Sequence, residues 1–223
     1  MIIAVDGPAG AGKSTVAKLL ARRLGFLYID TGAMYRALTL KALDRGVDIS
    51  DAGKMAALAQ DSQIDLIPDA SGGPITVMLD GADVSSAIRQ PRITAHVSDV
   101  AKIRRVRELM LVLQRRLGRT RDAVLDGRDI GTVVFPDAQK KFFIDASFSE
   151  RVNRRFKDMQ KMDVKGITRE QVAEDLRNRD TIDSTREVAP LKKADDAVYI
   201  DTSEMTIDQV VEEMIRHVAG KRD

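Results

Sequence analysis

The stretch GPAGAGKST, Gly7 to Thr15, stands directly behind the apolar run IIAVD, Ile2 to Asp6. That succession constrains the fold more than any other feature of the chain. Gly7, Gly12, Lys13 and Ser14 fit the spacing G-x-x-x-x-G-K-[ST]. Glycines at such spacing let backbone N–H groups converge on phosphate oxygens, and the helix that follows aims its positive end at the same anion. The lysine reaches the outer phosphates and the serine hydroxyl can ligate Mg²⁺. The motif needs a buried strand before it and an amphipathic helix after it. Ile2 to Val5 supply the first, and Val16, Leu19, Leu20 and Leu24 line one face of the second.

Four more apolar runs repeat the strand pattern: FLYID (Phe26 to Asp30), AVLD (Ala123 to Asp126), KFFID (Lys141 to Asp145) and AVYID (Ala197 to Asp201). Each ends in Asp, as the first does, and helical patterns lie between and after them; one is expected around Tyr35 to Leu43. Continuous apolar strands alternating with helices predict an α/β fold, a three-layer, doubly wound, parallel five-stranded sheet. Between about Ile64 and Ile88 the rhythm changes to short β-type runs, a Gly72-Gly73-Pro74 break and an Asp80-Gly81 turn of hairpin type. This predicts a small antiparallel insert, placed either to cover a ligand or as a surface meander. Hydrophobic residues at 43% suffice for a core. The opening run MIIAV stops at Asp6, too short for a signal peptide or a membrane span, so a soluble cytoplasmic protein is expected.

The chemistry is read from the other strand ends, where sheets of this class bind ligands. DTGAMYR places Asp30, Thr31, Tyr35 and Arg36 after the second strand, and DGRD places Asp126, Gly127, Arg128 and Asp129 after the third. Arg36 and Arg128 provide for a second anion beside the phosphate loop. Asp126 stands where a carboxylate holds Mg²⁺ through water. No Asn-Lys-x-Asp base reader of a guanine switch is present, there is no Cys, and the two histidines, His96 and His217, are assigned no chemistry. With no base for a hydroxyl acceptor, a phosphate monoester fits best: its second pKa is about 6, so it arrives ionised. Positioning and charge neutralisation then suffice.

Two further segments carry arginines. A helical stripe begins at Val172 and Leu176 and continues by threes and fours to Arg179, Asp183 and Arg186, so the inward face turns charged. This suggests a lid that brings arginines over a transferring phosphate. From Ile103 to Arg121 the chain holds seven arginines against one glutamate, around an apolar seam of Ile103, Val106, Met110, Leu113 and Leu117. No aromatics are interleaved for base stacking, so most of these arginines are expected on a solvated face rather than on RNA. Tyr35 fits a ring stacked on a base and a core residue equally well. A net charge of +2 gives no reason to expect a polyanion-coating protein.

GPAGAGKST, DTGAMYR, DGRDIGTVVFPDA and STREVAPL together resemble the bacterial cytidylate kinases, over nearly the whole chain. The resemblance implies the nucleoside monophosphate kinase fold, a single domain over residues 1–223. Its core would take about 1–30, 117–147 and 190–223, its monophosphate-binding lobe with the β insert about 31–116, and its helical lid about 148–189. It implies ATP-dependent phosphorylation of CMP and dCMP with Mg²⁺. Gly7, Pro8, Ala9, Gly10, Ala11, Gly12, Lys13, Ser14 and Thr15 would bind ATP, with Ser14 and Asp126 (through water) serving the metal. Thr31, Tyr35, Arg36, Ser98, Arg107, Arg128, Asp129, Arg179, Asp183 and Arg186 would bind CMP, and Lys13, Arg128, Arg179 and Arg186 would act in transfer. Thr31 replaces a frequent Ser of the family, a mild change. Asp129 suits the cytosine amino group, and Arg107 and Ser98 suit its ring nitrogen and carbonyl. Ser98 and Arg107 are nine residues apart, about 180° around a helix. Both face one base only if the helix breaks between them or begins after Ser98. The expected partners are ATP and CMP or dCMP, without nucleic acid or membrane, for a monomer. Rival readings are a small P-loop kinase of another acceptor and a non-catalytic nucleotide switch or RNA-binding module.

Overall fold

The computed structural model describes residues 1–67, 75–162 and 166–220. In chain order they form β1 (Ile2–Asp6), α1 (Lys13–Leu24), β2 (Leu27–Asp30), α2 (Thr31–Asp44), α3 (Ala52–Gln60), β3 (Ile64–Ile67), β4 (Thr76–Leu79) and β5 (Ala82–Asp83). After a short 3₁₀ turn at Ala87–Arg89 come α4 (Pro91–Ala101), α5 (Arg104–Gly118) and β6 (Ala123–Asp126). A π turn at Ile130–Val134 leads to β7 (Lys140–Asp145), α6 (Phe148–Lys161), α7 (Arg169–Thr185), β8 (Val198–Asp201) and α8 (Ile207–Val218).

The five predicted strands make one parallel sheet in the order β2-β6-β1-β7-β8. β1 lies at its centre, and alternation along it serves both faces. Ile3 and Val5 pack under α1 and α8 with Leu20, Phe142 and Met214. Ala4 turns to the opposite core, built from α2 to α5 around Met34, Leu38, Ile93 and Met110. Both faces are therefore covered, which is why the strands read as continuous apolar runs. The chain leaves β1 for β2 on one side and later returns to β7 on the other. This reversal of strand order opens a crevice at the carboxyl ends, beside the phosphate loop.

The strands expected from Lys141 and Ala197 begin one residue away, at Lys140 and Val198, and local chemistry explains two further boundaries that differ from the sequence expectation. α2 begins at Thr31, four residues before Tyr35, because Asp30 ends β2 and also caps the helix: its carboxylate accepts the Ala33 N–H at 3.0 Å. β2 begins at Leu27, since the Phe26 N–H is still bonded to the Ala21 carbonyl beyond the end of α1.

The insert is a three-stranded antiparallel sheet, β3-β4-β5, with Ile64, Leu66, Val77 and Leu79 buried against α2. Asp80 (φ 50°) and Gly81 (φ 83°) form the two-residue turn between β4 and β5, both with the positive φ that such turns require. Asp80 also receives the Gln63 N–H and pairs with buried Lys41 of α2 at 2.7 Å, which ties the insert down. The Gly72-Gly73-Pro74 break lies outside the described residues.

α4 and α5 are separate helices. Lys102 closes the first, and Ile103, in extended conformation, opens the second. The inward face of α5 is Val106, Arg107, Met110, Gln114 and Gly118, with Ile103, Leu113 and Leu117 only partly buried. Arg107 is thus buried, and Arg115 donates to the Val133 and Val134 carbonyls. The other five arginines of the segment are exposed. Among the described residues no helix is long and apolar enough to cross a membrane.

Candidate active site

A cleft of about 1440 Å³ runs along the carboxyl ends of β1, β2 and β6, from the loop before α1 to α4, α6 and α7. Pockets for one drug-sized ligand measure roughly 300–1,000 Å³, so there is room for two nucleotides end to end.

The phosphate loop occupies its middle. Gly7 has φ 144°, and a Cβ there would lie 2.0 Å from the Ile144 carbonyl oxygen, so no other residue fits where the loop leaves the sheet. Gly12, at φ 88°, precedes α1 without a side-chain cap, which leaves the orphan N–H groups of the first turn to an anion. Lys13 is buried and donates to the Pro8 carbonyl at 2.6 Å, inside the loop itself. Burial, and then the neighbouring Arg128, push its ammonium well below the usual lysine range.

On the floor of the cleft Ser14 donates to Asp126 Oδ2 at 2.6 Å, and the Tyr28 hydroxyl donates to Oδ1 at 2.9 Å. Thr31 closes the triangle by donating to the Asp126 carbonyl at 2.7 Å. Burial, reinforced by Asp30, raises the Asp126 carboxyl to about 7. Among the described residues no cluster of three or more acidic, His or Cys side chains could enclose a metal ion. One hydroxyl and one carboxylate side by side instead suit Mg²⁺, which keeps several waters and takes its remaining ligands from substrate phosphates.

The far half of the cleft is a network of arginines and two aspartates. Arg36 donates to Thr94 Oγ1 at 3.0 Å. Arg128 Nε donates to Asp183 Oδ2 at 2.8 Å, and Arg186 stands 3.7 Å from the other oxygen. Asp129 receives Arg107 on one oxygen at 2.5 Å and Arg186 on the other at 3.4 Å. The Arg107 guanidinium lies 5.6 Å over the Tyr35 ring, so Tyr35 is both a core residue and part of the cleft wall. Ser98 lies in the last turn of α4 and Arg107 in the first turn of α5, and the break at Lys102-Ile103 lets both line the same cavity. Among the described residues, Arg179 has no partner for its buried Nε. Burial and the charges of Arg36 and Arg128 push its guanidinium down to about 9.

All the residues expected at the site except Gly7 and Pro8 line this one cleft, and those two shape the loop from behind. Several others went unnoticed in the sequence. Asp6 accepts the Ile130 and Gly131 N–H groups, each at 2.8 Å, and so fixes the turn that carries Asp129; burial raises it to about 6. Its signal was the Asp that ends every strand. Tyr28 was visible only as a polar-tipped aromatic in an apolar strand. Arg154, held by Thr202, lines the end of the cleft near α8 with Met205 and Ile207.

A family model described as cytidylate kinase matches residues 3–220. The cytidylate kinase of Solibacter usitatus is 48% identical over 222 residues, covering 99% of this chain and 93% of the relative. That of Clostridioides difficile is 47% identical over 218 residues, covering 98% of each. Among solved structures, an uncharacterized protein from Eubacterium ventriosum superposes with a TM-score of 0.52 at 11% identity, over 99% of both chains, a likeness of fold alone. With the two-part cleft, the single phosphate loop and these relatives, the chain belongs to the cytidylate kinase family.

Proposed function

We propose that the protein transfers the γ-phosphate of ATP to CMP and dCMP, giving CDP and dCDP. The observation that carries this reading is the convergence of Arg36, Arg128 and Arg179 beside the phosphate loop, with Arg179 Nε buried and, among the described residues, unpaired. Such a cluster needs a second anion next to the one on the loop.

In this reading residues 7–15 hold the donor phosphates, and the Lys13 ammonium leaves the Pro8 carbonyl for them. Ser14 and Asp126 would hold Mg²⁺, which would supply neutralisation of donor phosphate charge. Arg36 and Arg128 orient the acceptor monophosphate in line, already ionised, so no base is required. Arg179 and Arg186 stabilise charge on the migrating group. Each oxygen of Asp129 has a second lone pair beyond its arginine contact, leaving an acceptor for the cytosine amino group. Arg107 and Ser98 donate to the ring nitrogen and carbonyl. Residues 31–116 form the monophosphate lobe around this acceptor, with Ile75 and Val77 of the insert on its wall. Residues 148–189 act as the lid.

The test is ADP formation from ATP with CMP, dCMP, UMP, AMP, GMP or no acceptor. Strong stimulation by CMP and dCMP is expected. Equal ADP release with and without acceptor would reject transfer.

A further inference from the structure

We propose that Arg151 and Asp180, one on each lid helix, are positioning residues that hold the backbone of Ala9 and thereby set the shape of the donor loop. The proposal rests on the kinase reading above. The Ala9 N–H donates to Asp180 Oδ1 at 3.2 Å, and the Ala9 carbonyl accepts from Arg151 Nη1 at 2.9 Å. The two side chains are bonded to each other at 2.5 Å, and Arg151 Nε is anchored on the Ala146 carbonyl at the start of α6. Both backbone polar groups of a single residue in the phosphate loop, on two successive peptides, are therefore taken by an ion pair spanning α6 and α7.

Two further observations place the loop against the lid. The Ala9 methyl belongs to the small core between the helices, with Val152, Met159, Val172 and Leu176. Gly10, at φ 78°, approaches α6 so closely that a Cβ would stand 3.2 Å from both the Arg151 Cβ and its carbonyl oxygen.

The physical consequence follows from what the loop does. It binds anions with converging backbone N–H groups, and each peptide free to rotate must be ordered when the anion arrives. Fixing Ala9 at both ends removes part of that cost before ATP binds. The Ala9 N–H points at Asp180 rather than into the cradle, so its bond is a brace for the neighbouring donors. A charge-assisted bond of this kind is worth roughly tenfold to a hundredfold in an equilibrium. Neither side chain lines the cleft itself, so both act through Ala9 of the phosphate loop, which they hold.

The test compares Asp180→Ala and Asp180→Asn with the unaltered enzyme. The alanine variant should raise KM for ATP about tenfold while KM for CMP moves less than about twofold. Amide exchange at Ala9 in the nucleotide-free protein should quicken by at least about tenfold. Asp180→Asn keeps an oxygen for the Ala9 N–H and should recover most of the exchange protection and part of the ATP affinity. Equal rises in both KM values, or unchanged Ala9 exchange, would overturn the proposal. Binding of Mg²⁺·ADP, measured by calorimetry, reads the brace without catalysis. If CMP proves not to be the acceptor, the kinase reading fails, while ADP affinity and Ala9 exchange still decide the role of Asp180.

Discussion

Arg179 offers a test in which stability and activity move in opposite directions. Its guanidinium is pushed from the ordinary range down to about 9 by burial and by Arg36 and Arg128, and Asp183 offsets only part of this. Each tenfold change in proton affinity is ~1.4 kcal/mol, so the charged side chain costs the nucleotide-free fold at most on the order of 5 kcal/mol. The sign follows from linkage. A base whose folded pKa is depressed carries its full penalty at every pH below about 9, and the penalty is relieved only as pH rises from there toward the unfolded value. At neutral pH it is fully present. Arg179→Met keeps most of the stem and removes the charge. If half the penalty is recovered, about 2.5 kcal/mol, the thermal midpoint should rise by roughly 5 °C for a chain of this length. Phosphoryl transfer to CMP should fall at least about a hundredfold, because an arginine facing the migrating group is lost. Sulfate should stabilise the unaltered protein more than the variant, by mass action at the vacated charge. Calorimetry with and without sulfate, together with kcat/KM, decides the matter. A variant that melts lower than the parent while keeping activity within about twofold would refute the crowded-cation reasoning.

Asp129→Asn can donate to the carbonyl that uracil carries in place of the cytosine amino group, so the ratio of kcat/KM for CMP over UMP should narrow; an unchanged ratio with reduced CMP activity would make Asp129 structural. Asp183→Ala frees Arg128 from its 2.8 Å bond and should lower activity with both substrates, with an additional loss on CMP if the carboxylate meets the 2′-hydroxyl. Equal losses for CMP and dCMP would reject the sugar contact alone. Asp126, raised to about 7, loses its stabilising contribution as pH climbs from about 4 through 7, so Asp126→Asn should gain in thermal midpoint relative to the parent between pH 5 and 8. Its Mg²⁺-dependent turnover should collapse, and a midpoint difference flat with pH would refute the assigned burial cost.

The sheet was legible because β1, β2, β6, β7 and β8 are buried on both faces and each run stops at an Asp. Those stops mark the edge where the cleft forms. The start of α2 was misplaced because Asp30 belongs to two elements, a strand end and a helix cap, and a pattern of apolar residues cannot show the second role. The face of α5 was harder for a different reason. Arg107 and Gln114 point inward among Val106 and Met110, and Arg107 is satisfied by Asp129. Periodicity counts apolar positions, so a polar residue with a remote partner reads as solvent-facing. The pairing of Asp180 with the Ala9 peptide spans 171 residues, and no spacing rule connects a helix carboxylate to a backbone N–H at such a distance. Arg179, Asp183 and Arg186 were legible because they continue an apolar stripe, a contradiction visible within one helix.

If Ser98 and Arg107 read the base as proposed, the two-residue break between α4 and α5 makes chain length itself part of base discrimination. α5 is seated by Val106 and Met110, and Arg107 reaches the cleft only in that register. One residue added or removed at Lys102-Ile103 must either be absorbed in the linker or turn the helix by ~100°. The second course would present Val106 or Glu108 where the guanidinium now stands, with every side chain of both helices unaltered. On the proposed base reading, an insertion at that joint would rewrite which base is accepted, a change that no scan of single substitutions would uncover.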